Sequence, residues 1–256
     1  MSRAALAILA VVAVIAVGVG GYLAYDTFLR GDSTPALTLP STSPDATADA
    51  TTEPSTSADA GASTDPSASP DAGADGELAG TWTITEAIAG YRVREQLANL
   101  PAESDAVGRT SDVTGSITLD GGGDAVQLTG GTIDVDTTTI TSDERMRDNR
   151  MRSQGLQTDS FPTASFVITQ PVDISAAALA GTASGLTLTG DLTLHGVTKA
   201  VEIPAQAQLV DGTIQVVGSL GFPLSDFDIV APNVGGFIVS IADDGTLEFS
   251  ATFAKD

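Results

Sequence analysis

The chain has no cysteine, which removes disulfide staples, thiolate zinc sites and a cysteine nucleophile. This does not fix the compartment, because a domain with a large enough core can live outside the cell without disulfides. There is one histidine, His195. A general base needs an orienting partner, and no second His or Cys supplies one. Beside Gly196, between two strand-like runs, His195 reads as a turn residue. No G-x-S-x-G elbow occurs. Bases are scarce, with 11 Lys and Arg against 33 Asp and Glu and a net charge of −22. Phosphate-backbone binding needs clustered Lys and Arg, so no nucleic-acid partner is expected. Residues 77–256 hold 24 acids and nine bases, a surface that also repels anionic lipid headgroups. The i, i+2 pairs Asp134/Asp136 and Asp226/Asp228 read as solvated surface acids, and no metal or cofactor is expected from these residues. An enzyme is therefore not expected.

Long apolar runs are absent except one. Residues 4–23 carry no charge, and at ~1.5 Å per residue they make about 30 Å of helix, enough to cross a hydrocarbon core. Tyr22, Tyr25 and Phe28 follow it, where rings favour the interface. Arg3 before it places the N-terminus in the cytoplasm, although Arg30 on the far side weakens that bias. The alternative is a cleaved signal peptide, with Gly18 and Gly20 near the cut. Both readings send the rest of the chain across the cytoplasmic membrane. Residues 1–30 are thus expected to be a transmembrane signal anchor. Residues 31–76 are rich in Pro, Ser, Thr, Ala, Gly and Asp, and hold eight acids, no Lys or Arg and no aromatic. Such a stretch cannot bury enough apolar surface to offset backbone entropy and is expected to be a disordered linker. As a coil it would span on the order of 35–40 Å.

From residue 77 the chain turns into short β-rich runs, at 81–86, 91–97, 106–114, 116–119, 125–128, 132–140, 164–169, 186–194, 199–209, 213–222, 237–241 and 246–253. Leu186, Leu188, Leu192 and Leu194 alternate with Thr187, Thr189, Asp191 and Thr193, which means one apolar and one wet face. Asp211-Gly212 and Asp243-Asp244-Gly245 are hairpin signals. One helical patch covers 142–151, with Ser142 as its cap. Twelve short runs in about 180 residues fit an all-β, antiparallel barrel of eight strands with a short helix, some runs being pieces of one bent strand.

Three stretches then carry a resemblance. Arg147-Asp148-Asn149-Arg150-Met151-Arg152-Ser153 is followed by Phe161-Pro162-Thr163-Ala164-Ser165-Phe166. Gly190-Asp191-Leu192-Thr193-Leu194-His195-Gly196-Val197-Thr198-Lys199 is the most specific stretch. The last is Phe222-Pro223-Leu224-Ser225-Asp226-Phe227-Asp228-Ile229. Together they resemble the YceI-like proteins, a lipocalin-like group associated with polyisoprenoid binding, from about Gly80 to the end. Arg150 stands where many relatives have His, and Leu224 and Asp228 replace the Arg and Gly usual around Ser225-Asp226-Phe227. The resemblance implies an eight-stranded lipocalin-like barrel around an apolar tunnel, with an apolar or isoprenoid lipid as partner. Inward candidates for the tunnel wall are Phe166, Ile168, Leu188, Leu192, Leu194, Val201, Ile203, Val216, Phe222, Phe227, Phe237, Val239 and Phe249, with Ile214 and Leu220. Taken singly, each reads first as filling a packed core, and the alternative to a lipid tunnel is an extracytoplasmic structural or protein-interaction module with a packed barrel and no ligand. Arg145, Arg147, Arg150 and Arg152 lie within eight residues. They read either as exposed pairs worth ~0–1 kcal/mol or as a patch, centred on Arg147 and Arg150, that takes an acidic headgroup.

Overall fold

The computed structural model describes residues 34–39, 78–97, 103–122, 125–231 and 238–256. The expected anchor at 4–23 and most of the expected linker lie outside them, as does Phe237. Among the described residues no helix is long and apolar enough to cross a membrane.

Among the described residues the period-2 runs form ten antiparallel strands. They are β1 (Gly80–Leu97), β2 (Glu103–Thr110), β3 (Val113–Gly122), β4 (Ala125–Asp136), β5 (Thr163–Ile168), β6 (Val172–Ile174), β7 (Ser184–Leu194), β8 (Val197–Val210), β9 (Thr213–Pro223) and β10 (Ile238–Lys255). Eight of them close a barrel in the order β1-β3-β4-β5-β7-β8-β9-β10, and β10 returns to β1. Closure leaves those strands no free edge. Strand β2 continues the line of β3 along β1, and β6 adds to β4. Among the described residues two short helices, α1 (Arg145–Arg150) and α2 (Ala176–Leu179), are not part of the sheet, and α2 lends Ala178 and Leu179 to the interior wall.

Several expected runs merge or divide. Runs 81–86 and 91–97 are one 18-residue strand, bent by an extra residue between Ile84 and Glu86. Run 106–114 is broken instead. The Thr110 hydroxyl takes the Asp112 amide at 3.0 Å, a local bond that competes with the ladder. Run 132–140 stops at Asp136, whose carboxylate accepts from the Thr138 amide at 2.9 Å and caps a 3₁₀ turn, Thr137–Thr139. Asp211-Gly212 forms the expected two-residue hairpin, with φ of 49° and 74°, as a primed turn requires. Asp243-Asp244-Gly245 does not turn. Strand β10 runs through it, and the register passes from Val93–Gly245 to Glu95–Ile241, so the extra residues are a bulge.

The helix also differs from expectation. Ser142 does not cap it, because its hydroxyl donates to Asp148 at 2.7 Å. Glu144 caps instead, its carboxylate accepting from the Met146 amide at 3.1 Å. After Arg150 the backbone widens into a single π turn, Met151–Gly155.

Part of the expected disordered linker is placed. Residues 34–39 have no regular secondary structure and lie against Arg92 and Arg109. The Thr34 carbonyl accepts from Arg92 at 2.7 Å and the Pro35 carbonyl from Arg109 at 2.5 Å.

Candidate functional site

Inward positions of the closed sheet are apolar because alternate residues of every strand face the axis. They do not fill the interior. An internal cavity of about 180 Å³ remains, more than the ~150 Å³ apolar cavity that stays dry and takes up benzene. Its wall includes Phe166, Ile168, Leu188, Leu192, Leu194, Ile203, Val216 and Phe249, with Ile214 and Leu220. Polar lining residues are few and turned elsewhere. Gln208 donates to Gln215 at 2.8 Å, and the Glu248 carboxylate is bound by Arg109 at 2.7 Å. Sequence reasoning did not single out Trp82, Ile117, Leu119, Val126 or Leu128. They complete the buried cluster around the main cavity, and their short runs gave a weaker alternation than the Leu186–Leu194 series.

A second chamber of about 60 Å³ adjoins the first and shares Tyr91, Leu156, Leu194 and Leu247 with it. Phe222 lines this smaller chamber, and so do Arg147 and Arg150. The remaining expected residues are placed differently. Val201 and Phe227 line neither chamber. Phe227 belongs to a 3₁₀ turn, Leu224–Phe227, beyond the end of β9, so strand alternation does not govern it. It is 1% exposed and meets Phe222 edge-on at 5.3 Å. Val239 lies in β10, but its side chain is outside the described set.

The arginine patch is not a set of solvated pairs. Arg147 reaches into the smaller chamber and binds Glu95 at 2.6 Å. Glu95 is 2% exposed. Arg147 also contacts Asp143 and the Ser142 hydroxyl, while its buried Nε has no hydrogen-bond partner. Burial alone would lower the Arg147 pKa, but Glu95 and Asp143 outweigh it and hold it above the usual value. Arg152 is spent on the Thr138 and Ile140 carbonyls at 3.1 and 3.0 Å. Asp148 accepts from the Ser142 amide and hydroxyl at 2.8 and 2.7 Å. The small chamber is thus apolar on one side and carries a buried ion pair on the other.

Tyr91 stands between the chambers. Burial pushes its phenol up to about 12; the Arg147 charge pulls it down, and Asp148, Glu95 and Asp143 push it further up. The folded chain therefore holds this proton more tightly than the unfolded chain, whose value is 10.0. The contribution is complete below pH 10 and is lost as pH rises through the window from 10 to about 12, on the order of 2–3 kcal/mol in all. Urea midpoints taken across that window should fall for the native chain and lose most of the slope in Tyr91→Phe. An unchanged slope in the variant would assign the loss to other groups.

The three distinctive sequence stretches meet at one end of the barrel. The β7–β8 turn is His195-Gly196, with φ of 52° and 77°. The His195 Nδ1 pairs with the Phe227 carbonyl at 3.0 Å, and its ring meets Phe161 at 4.5 Å. Lys199 binds Asp226 at 2.8 Å, with its ammonium 5.9 Å from the Phe227 ring centre. Asp228 takes a left-handed φ of 53° after the 3₁₀ turn, which Asp tolerates better than most residues and Gly tolerates without strain. Gly190 is required by close approach, since a Cβ there would sit 2.2 Å from the Val167 carbonyl. His195 ties the turn to Phe227 through Nδ1, while its buried Nε2 has no hydrogen-bond partner among the described residues. Among the described residues no group of three or more His, Cys, Asp or Glu is placed to hold a metal ion.

No curated protein is detectably similar to the chain. Among solved structures, a polyisoprenoid binding domain from Saccharophagus degradans, implicated in plant cell wall breakdown, is similar at 16% identity and a TM-score of 0.51, covering 68% of this chain and 98% of its own. BcnA of Burkholderia cenocepacia is 16% identical with a TM-score of 0.47, covering 64% and 95%. YceI of Campylobacter jejuni is 15% identical with a TM-score of 0.40, covering 56% and 82%. At such identities the likeness speaks to the fold. The YceI-like domain family matches residues 82–253, from the third residue of β1 almost to the end of β10, and the chain belongs to that family.

Proposed function

We propose that the barrel binds an apolar, isoprenoid-type lipid in its interior, as a carrier or reservoir on the outer side of the cytoplasmic membrane. The cavity supports this reading most directly. It lies in the barrel core, its wall is apolar, and a smaller chamber lined in part by Glu95, Arg147 and Arg150 adjoins it. An isoprenoid tail offers no hydrogen bonds and needs none from such a wall. Its burial supplies about 0.8 kcal/mol per methylene, or roughly 4 kcal/mol per five-carbon unit before ordering costs. The polar end of an amphiphile would lie in the smaller chamber, where Arg147 keeps an unpartnered Nε and Arg150 is close by. Family membership and the polyisoprenoid-binding relative support the ligand class. The chain acts as a binding protein rather than an enzyme. The uncharged run 4–23 is the tether that holds it to the membrane.

Native mass spectrometry of the full chain released from mild detergent should show an apolar adduct that organic solvent extracts. Leu188→Trp fills the main cavity from its wall and should lower adduct occupancy at least ten-fold while the circular dichroism spectrum is kept. Repeated ligand-free spectra of the unmodified chain would return the barrel to a packed interaction module.

A further inference from the structure

The outer wall carries a charged site that the interior cavity does not use. Glu248 faces outward from β10 yet is only 4% exposed. Both guanidinium groups above it are held by its carboxylate, Arg109 at 2.7 Å and Arg92 at 3.7 Å. Asp105 steadies Arg92 from the side at 3.0 Å. A guanidinium has five donors in a fixed plane and no acceptor. With Glu248 beneath, the remaining donors call for acceptor oxygens, and backbone carbonyls supply them. The Thr34 and Pro35 carbonyls fill that role.

The segment suits the site in composition. Residues 34–39, TPALTL, hold no charge, whereas the following stretch to 76 holds seven acids. Leu37 and Leu39 are half-buried and Ala36 and Thr38 exposed, the alternation of an extended chain with one face against a surface. Pro35 has no amide hydrogen, so no donor at that residue competes with the arginines.

We propose that residues 34–39 are a strap, clamped by Arg92, Arg109 and Glu248, that fixes the β1-β2-β10 wall to the membrane-proximal end of the chain. Residues 40–77 then do not set the reach between anchor and barrel. Four residues from Arg30 span at most about 14 Å, against the 35–40 Å expected of a free 46-residue coil. The clamp stands independently of lipid binding; only its consequence for membrane distance rests on the anchor reading.

The absence of cysteine allows spin labels to be placed cleanly. Labels at Thr38→Cys and Ser219→Cys, in the full chain in detergent micelles, report the strap against β9; Ser219 is exposed and pairs with Glu248 across the sheet. A second pair, Glu202→Cys and Ser219→Cys, reports the barrel itself. Electron–electron distance measurement should give one narrow band for both pairs. Leu37→Asp/Leu39→Asp leaves the barrel untouched, and Arg92→Lys/Arg109→Lys keeps the charge over Glu248 but loses the planar fork. Each should broaden the Thr38–Ser219 band about three-fold, toward coil statistics, and leave the Glu202–Ser219 band narrow. A broad Thr38–Ser219 distribution in the unmodified chain, or a band that stays narrow in both variants, would overturn the clamp. Neither result bears on whether the interior holds lipid.

Discussion

Arg147→Met should cost the fold about 3–5 kcal/mol, the loss expected when one member of a buried ion pair is removed. The reason is Glu95. It lies 2% exposed on the inner side of β1, and the Arg147 guanidinium at 2.6 Å is the cation that compensates it. Without that partner a carboxylate stays buried beside Tyr91, Val93 and Ala106. Glu95→Leu/Arg147→Met removes both charges, and apolar replacement of a buried pair is often neutral or better. The double variant should therefore recover most of the loss. Urea unfolding of the two single variants and the double variant closes the cycle. Additive losses would show that the pair is not coupled. Lipid occupancy measured on the double variant separates roles: if the cationic side of the small chamber orients a headgroup, the double variant binds an uncharged isoprenoid alcohol as before and a phosphorylated one less well.

Phe227→Ala should be about as damaging, at about 3–5 kcal/mol. At 1% exposed, Phe227 is among the largest fully buried side chains described. It packs edge-on against Phe222, and its backbone carbonyl ties the His195 turn. Truncation leaves a void under the turn that joins β7 to β8, and neighbours held by these bonds cannot collapse into it. Phe249→Ala makes a useful contrast. Phe249 is half-buried and borders the existing cavity, so it gives up fewer packed neighbours and should cost less. Thermal unfolding of the two variants tests the ranking, and a larger loss at Phe249 would mean that the barrel end is not where the core is tightest.

These predictions follow the division between what the chain shows locally and what it hides. The Leu186–Leu194 alternation made strand β7 and its inward face legible, because side-chain direction in a strand depends only on parity. Asp211-Gly212 was legible because a two-residue hairpin demands positive φ at both residues. Asp243-Asp244-Gly245 was misleading for the same reason in reverse. The same residue types serve a bulge, and only the partner strand decides between them. Phe227 counts among the tunnel-wall candidates in the sequence, but it lies in a 3₁₀ turn, outside the strand alternation. The strap went unseen, since four alternating residues in a Pro-, Ser- and Thr-rich stretch have no weight until Arg92 and Arg109 stand opposite.

Composition and periodicity by themselves determined that this chain ends in an all-β antiparallel domain without thiol chemistry, and that its surface is strongly acidic. Those properties are sums over residues or repeats of a few positions. Only the tertiary structure decided that β10 closes on β1, that the interior keeps an apolar void, and that Glu95 meets Arg147 and Glu248 meets Arg109. Each joins residues between 52 and 173 positions apart. Such pairings depend on how the whole ring twists and shuts, and no short window of sequence encodes that.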